Sequence, residues 1–166
     1  MDWKKQKVLV TGGASFIGSH MVDSLVDRGA FVRIADDFSS GQKQEIQHHL
    51  DAGNVELLGG DLREPGLAKK AVSGMSVVFH LAADHGGRGY VDTYQAGPAS
   101  NMLLDGVVFW EALNAGVEKV VFASSGCVYP NFLQSNVNDE LYLSEDLVKP
   151  PYDADNMYGW AKLMAE

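Results

Sequence analysis

Cysteine is nearly missing from this chain: 166 residues contain one, Cys127. A single thiol closes no internal disulfide, so the fold is held without covalent staples, and a reducing compartment, the cytoplasm, is the expectation. Basic residues are also scarce, 13 Lys and Arg against 22 Asp and Glu, for a formal charge of −9. That balance argues against a general nucleic-acid or anionic-membrane binder, because both need excess cation. It leaves room for a local phosphate site built from backbone N–H groups. No apolar run approaches the roughly 18 residues that span a bilayer. The polar residues 1–7 lead straight into a strand pattern, unlike a secretory signal. There is no internal repeat and no low-complexity segment. What is present is an ordinary apolar fraction, 46%, in a length sufficient for one α/β domain with a substantial core.

The apolar pattern alternates. Residues 7–10, 31–35, 55–58, 77–80 and 119–123 form short, near-continuous apolar runs that predict strands. Between them, Ile17, Met21, Leu25 and Val26 share one helical face, and that helix closes at Arg28-Gly29. Further helices are predicted over 42–51, 65–72, with Pro65 in the first turn, and 98–115, closed by Gly116; another starts at 156. Strands separated by helices predict a parallel sheet covered on both faces, a doubly wound Rossmann-type α/β domain. Two long loops stand out, residues 84–97, rich in glycine, and 129–155, rich in Pro, Asn and Asp. Loops of that size in a compact domain often carry function.

Thr11-Gly12-Gly13-Ala14-Ser15-Phe16-Ile17-Gly18 joins the first strand to the first helix. Gly12 permits a tight turn and Gly18 lets the helix pack closely on the strand, while the helix N-terminus offers N–H groups to a pyrophosphate. Asp36 stands 18 residues after Gly18, at the end of the second strand. A carboxylate there suits the ribose hydroxyls of NAD and repels the 2′-phosphate of NADP; the alternative is a solvated acid at a strand end. These features resemble the extended short-chain dehydrogenase/reductases that act on nucleotide sugars. Their loop is usually Thr-Gly-x-x-Gly-x-x-Gly, and this chain departs from it at Ser15. A Cβ there crowds the pyrophosphate, whereas a hydroxyl is able to bond it. The resemblance implies cofactor contacts from Gly12, Ser15, Phe16, Ile17 and Gly18. It adds Asp36, Asp37, Phe38 and Ser40 at the ribose, Asp61 and Leu62 at the adenine, and Leu81, Ala82 and Ala83 beside the cofactor. His80 is read as a satisfied strand-end histidine.

Tyr158 and Lys162 lie four residues apart, on one face of a helix. An ammonium beside a phenol favours the phenolate, which suits proton transfer; alone, such a pair is also common on surfaces. Ser124-Ser125-Gly126-Cys127 follows the fifth strand, at the edge where such sheets carry their sites. In an extended segment Ser125 and Cys127 would face the same side. The resemblance implies that Ser125 and Tyr158 hold the reacting sugar hydroxyl, that Lys162, Tyr158 and Ser124 also touch NAD, and that Gly86 approaches the sugar.

Ser124 to Tyr129, together with Ala82 to Tyr90, is similar in particular to the branch of the family that epimerises GDP-mannose at C3 and C5. That branch uses the cysteine as one member of an acid/base pair, a task a thiol suits because it ionises at about 8.5 when unperturbed. Cys127 as a small buried residue is the alternative. Arg88 departs from the apolar residue expected at its position. A 4-epimerase would not need Cys127, a 4,6-dehydratase would carry an Asp-Glu pair after the fifth strand, and a non-catalytic NAD-binding module would need no intact Ser125, Tyr158 and Lys162. The resemblance extends over the whole chain but matches only the N-terminal half of such enzymes. A C-terminal substrate lobe, and the lysine that partners the cysteine, are expected beyond residue 166. The 166 residues alone are therefore expected to be inactive. The full-length protein is expected to bind a nucleotide sugar and to pair as a homodimer through helix 98–115 and the helix bearing Tyr158.

Overall fold

Short β-branched runs alternate with amphipathic segments, and the chain folds accordingly. The computed structural model describes residues 1–134 and 140–166. In chain order the elements are β1 (Lys7–Thr11), α1 (Phe16–Asp27), β2 (Phe31–Asp36), α2 (Gln47–Ala52), β3 (Val55–Gly59), α3 (Leu67–Val72) and β4 (Val77–His80). There follow α4 (Arg88–Thr93), α5 (Ala96–Ala99), α6 (Asn101–Asn114), β5 (Lys119–Phe122) and α7 (Asn156–Ala165). Two units can be distinguished, Met1–Ala82 with Leu104–Ala123, and Ala83–Leu103 with Ser124–Glu166.

The first unit holds a five-stranded sheet in the order β3-β2-β1-β4-β5, with every neighbouring pair parallel. Alternation along β1 sends its side chains to opposite faces. Leu9 packs with Val78, Val72, Leu104 and Val108 on one face. Val8 and Val10 pack with Ile34, Val22 and Leu25 on the other. The sheet is thus covered on both sides, the doubly wound arrangement the apolar pattern predicts. Chain order reverses between β1 and β4, and at such a switch point the strand ends open a crevice for ligands.

A buried polar chain closes that switch point. Thr11 and His80 are register partners at the ends of β1 and β4, and neither is exposed. The Thr11 hydroxyl oxygen accepts from the amides of Leu81 and Ala82, each at 3.1 Å. Its one proton is therefore directed at His80 Nδ1, 2.7 Å away. Nε2 then carries the ring proton and donates to Asp105 Oδ1 at 2.9 Å, from α6. His80 is a satisfied strand-end histidine, as its sequence context suggested.

The second unit differs most from expectation. The loop predicted over 84–97 contains α4 and α5. The helix predicted over 98–115 is divided at Ser100, whose amide closes α5 on the carbonyls of Ala96 and Gly97. Residues 131–134 and 145–147 form single 3-10 turns inside the predicted 129–155 loop; residues 135–139 of that loop lie outside the described ones. In the first unit, the helix predicted from Pro65 begins at Leu67, because Gly66 takes a left-handed φ of 80° just before it.

Replacing Thr11 by Val keeps the shape but removes the hydroxyl, leaving two amides and His80 Nδ1 without their partner. Thr11→Val is expected to cost about 2–3 kcal/mol in urea unfolding, and Thr11→Ser far less. Equal losses for the two variants would show that the hydroxyl does not hold this junction.

Candidate active site

The first unit presents a dinucleotide cradle. Gly12 has φ 67°, and a Cβ there would stand 3.0 Å from the Ala82 nitrogen. A Cβ on Gly18 would stand 2.0 Å from the Gly12 carbonyl oxygen, so α1 reaches the strand only through glycine. Ser15, where the family has its middle glycine, has an extended backbone (φ −83°, ψ 173°) that any residue adopts. Its hydroxyl donates to the Gly12 carbonyl at 2.6 Å and accepts from the Gly18 amide at 3.4 Å. The serine side chain is an N-cap for α1, and its proton is given to the loop. Among the described residues, the amides of Phe16 and Ile17 find no acceptor, and their side chains are exposed. Two unpaired N–H groups at the positive end of a three-turn helix are groups that could hold an anion such as a diphosphate.

Asp36 lies beside this opening, 6% exposed. Its Oδ2 accepts from the Ala14 amide and its Oδ1 from the Phe38 amide, both at 2.8 Å. These bonds fix the carboxylate and leave each oxygen a second lone pair for a ribose hydroxyl. Gly41 closes the loop, since a Cβ there would meet Asp36 Oδ1 at 2.9 Å. Asp37 accepts from the amide and hydroxyl of Ser39, and Phe38 takes a left-handed φ of 59°. Ser40 is exposed. The structure modifies two of the adenine expectations. The Asp61 carboxylate is gripped by Arg63 through the amide and guanidinium, which holds it below the usual carboxylate range. Leu62 is a core side chain packed with Leu9 and Val78, so only its backbone remains for a ligand. Leu81 and Ala82, half-buried, follow β4 and are held by Thr11.

The second unit carries the proposed catalytic residues. Tyr158 and Lys162 both sit on α7; Lys162 is 2% exposed, and its Nζ lies 6.0 Å from the Tyr158 ring centroid. Gly159 between them packs on the Cys127 segment, where a Cβ would stand 2.3 Å from the Cys127 carbonyl oxygen. The Asp155 amide donates to that same carbonyl at 2.8 Å. The extended segment expected through Ser125 and Cys127 is replaced by a 3-10 turn, Gly126–Val128. The cause is local: the Ser125 hydroxyl accepts from the Cys127 amide at 3.1 Å and curls the chain. Ser125 lines a cleft of about 560 Å³ with Ser124, Tyr129, Glu145 and Val148, and the Ser124 hydroxyl donates to Glu166.

Sequence reasoning missed the frame behind these residues. Arg88 donates to the Asp155 carboxylate at the start of α7 and to Asp92. Those carboxylates, Asp155 foremost, raise its pKa above the usual guanidinium value. Asp84 Oδ1 accepts from the Tyr90 hydroxyl at 2.8 Å, which raises the Tyr90 pKa and keeps it a phenol. Fully buried Asn101 locks Asp84 by accepting its amide proton and donating to its carbonyl. Gly86 is needed by this frame, because a Cβ there would stand 2.6 Å from the Tyr90 side chain. Only the glycine-rich composition hinted at any of it, and Arg88 drew notice merely as a departure in type.

A glycine-walled helix N-terminus at a sheet switch point, with Tyr and Lys one turn apart later in the chain, fits the Rossmann-type fold of the extended short-chain dehydrogenase/reductases. Residues 8–166 match the NAD dependent epimerase/dehydratase family, and the chain belongs to it. It is 32% identical over 164 residues to GDP-mannose 3,5-epimerase 1 of Oryza sativa subsp. japonica, covering 98% of this chain and 41% of that protein. It is similar to an epimerase structure from Methanothermobacter thermautotrophicus (TM-score 0.81, 30% identity, 98% of this chain and 46% of that one). It is also similar to the UDP-glucose 4-epimerase of Thermus thermophilus in complex with NAD (TM-score 0.77, 28% identity, 96% and 48%). The chain thus spans less than half the length of these proteins. Among the described residues, no helix is long and apolar enough to cross a membrane.

Arg88→Met, which removes both ion pairs, is expected to speed hydrogen exchange at the start of α7 by up to about fivefold, the scale of an exposed pair. Unchanged protection of the Gly159 amide would show that Arg88 does not hold the helix.

Proposed function

We propose that the full-length protein is a nucleotide-sugar epimerase of the GDP-mannose 3,5-epimerase kind. The observation that carries this reading is the packing of α7, with Tyr158 and buried Lys162, through Gly159 onto Cys127. It brings a phenol, an ammonium and a thiol-bearing segment into one framework, with Ser125 lining the adjacent cleft.

The cradle fits NAD on its own geometry. The Phe16 and Ile17 amides would hold the diphosphate, Gly12 and Gly18 would leave room for it, and Asp36 would receive the ribose hydroxyls. Bound NAD supplies a reversible two-electron oxidant for one sugar carbon. Tyr158 takes the proton of the C4 hydroxyl as that carbon is oxidised, Ser125 holds the same hydroxyl, and Lys162 stabilises the phenolate. The ketone at C4 acidifies the C–H groups on either side. An acid/base pair that includes Cys127 removes a proton there and returns one on the opposite face; the reverse of the first step restores the alcohol. The lone cysteine accords with a reducing cytoplasm.

A 4-epimerase is the second reading, favoured by the likeness to the Thermus thermophilus UDP-glucose 4-epimerase; it gives the Cys127 thiol no acid/base task. In the full-length protein, Cys127→Ser is expected to lower 3,5-epimerisation of GDP-mannose by about a hundredfold or more while sparing exchange at C4. Tyr158→Phe is expected to abolish both. Full 3,5-epimerisation by Cys127→Ser would contradict the assignment.

A further inference from the structure

Away from the cradle, three ligand-type side chains converge on the outer side of the first unit. Asp23 lies on α1, and His48 and His49 lie on α2. One ligand atom from each lies within 4.8 Å of the other two. Asp23 Oδ1 is 2.7 Å from His49 Nε2 and 3.2 Å from His48 Nε2. The two imidazole rings are stacked with centroids 4.0 Å apart.

One member of the cluster is a buried, oriented side chain rather than a surface group. His49 is buried, and its Nδ1 stands 3.1 Å from Asn54 Oδ1, an acceptor with no proton to give. With Nδ1 turned to that acceptor, Nε2 is the nitrogen that faces the Asp23 carboxylate, 2.7 Å away. The position between Nε2 and the carboxylate is filled by a proton in the ion pair, and a metal ion bound by all three side chains would replace it. A ring nitrogen bonded to a neighbouring carbonyl, with the other free to ligate, is the usual arrangement of a metal-binding histidine. The backbone reinforces it, since the Asn54 amide returns to the His49 carbonyl at 3.2 Å.

We propose that Asp23, His48 and His49 bind one divalent cation of the zinc class. Two imidazole nitrogens and one carboxylate oxygen are the donor set such an ion takes, with water completing a tetrahedron. Magnesium and calcium prefer oxygen-only shells and do not suit it. The ion bridges α1 to α2, the two helices on either side of the β2–Gly41 ribose segment. That segment is itself tied to the glycine loop by the Gln42 amide on the Ala14 carbonyl, at 2.9 Å. The cation therefore acts as a staple across the back of the cradle, and the proposal does not depend on which sugar the enzyme takes.

Zinc titrated calorimetrically into chelator-treated chain tests this. One zinc ion per chain is expected, with affinity at least about tenfold weaker in both Asp23→Asn and His48→Gln. Both positions are largely exposed, at 46% and 60%, so the variants retain the fold, which their melting in chelator verifies. A hundredfold excess of zinc over Kd is expected to raise Tm by about 5 °C or more in the parent, and magnesium to leave it unchanged. Absence of stoichiometric binding would overturn the site, as would an equal response to magnesium. Binding that survives both variants but is lost in Cys127→Ser would likewise overturn it, by moving the zinc to the thiol.

Discussion

The hydroxyl of Thr11 is the smallest group on which the rest of this structure depends. It sits where β1 and β4 part company and the sheet changes direction, and every one of its hydrogen-bonding positions is used. By accepting two amides it turns the chain after His80 inward, so that the Ala82 backbone meets Gly12 with no room for a side chain. By donating to His80 it fixes the ring tautomer and, through Asp105, ties α6 to the sheet. An apolar residue there could pack equally well, but the junction would then bury unpaired polar groups. The floor of the dinucleotide cradle is thus set by a polar chain rather than by apolar packing alone.

The sheet unit carries the amides, glycines and fixed Asp36 carboxylate that suit an anionic, ribose-bearing cofactor. The second unit carries Tyr158, Lys162, Ser125 and Cys127, to which the proposed function gives the chemistry. Within the second unit, short-range turn chemistry and long-range ion pairs meet at Asp155. It stands at the N-cap position of α7, accepts from Arg88 with its carboxylate, and passes its own amide to the Cys127 carbonyl. Tyr90 and Tyr158 show how environment separates like residues: the first is locked as a phenol by the Asp84 carboxylate, and the second shares a helix face with an ammonium.

The sheet, α1 and the cradle residues were legible because they rest on local spacing. Period-two and period-3.6 apolar patterns, a glycine loop and an acid at a strand end are all read within twenty residues. The family match of residues 8–166 agrees with that reading. What was not legible depends on distant partners. Nothing near Arg88 announces Asp155, and nothing near Asn101 announces Asp84, so the 84–97 segment read as loop although those bonds fold it into α4 and α5. Ser125 misled for a different reason. Its hydroxyl competes with extended backbone by taking the Cys127 amide, a choice propensity alone does not reveal. At Ser15, where the sequence shows only a departure from glycine, the side chain caps α1.

The central claim is electrostatic: amides without partners attract a diphosphate while Asp36 admits a free ribose and repels a phosphorylated one. Calorimetric titration of the folded protein with NAD and with NADP tests it most directly. The account predicts that NAD binds at least about tenfold more tightly, the difference a carboxylate facing a phosphate imposes. Equal affinities, a preference for NADP, or no heat with either nucleotide would contradict it.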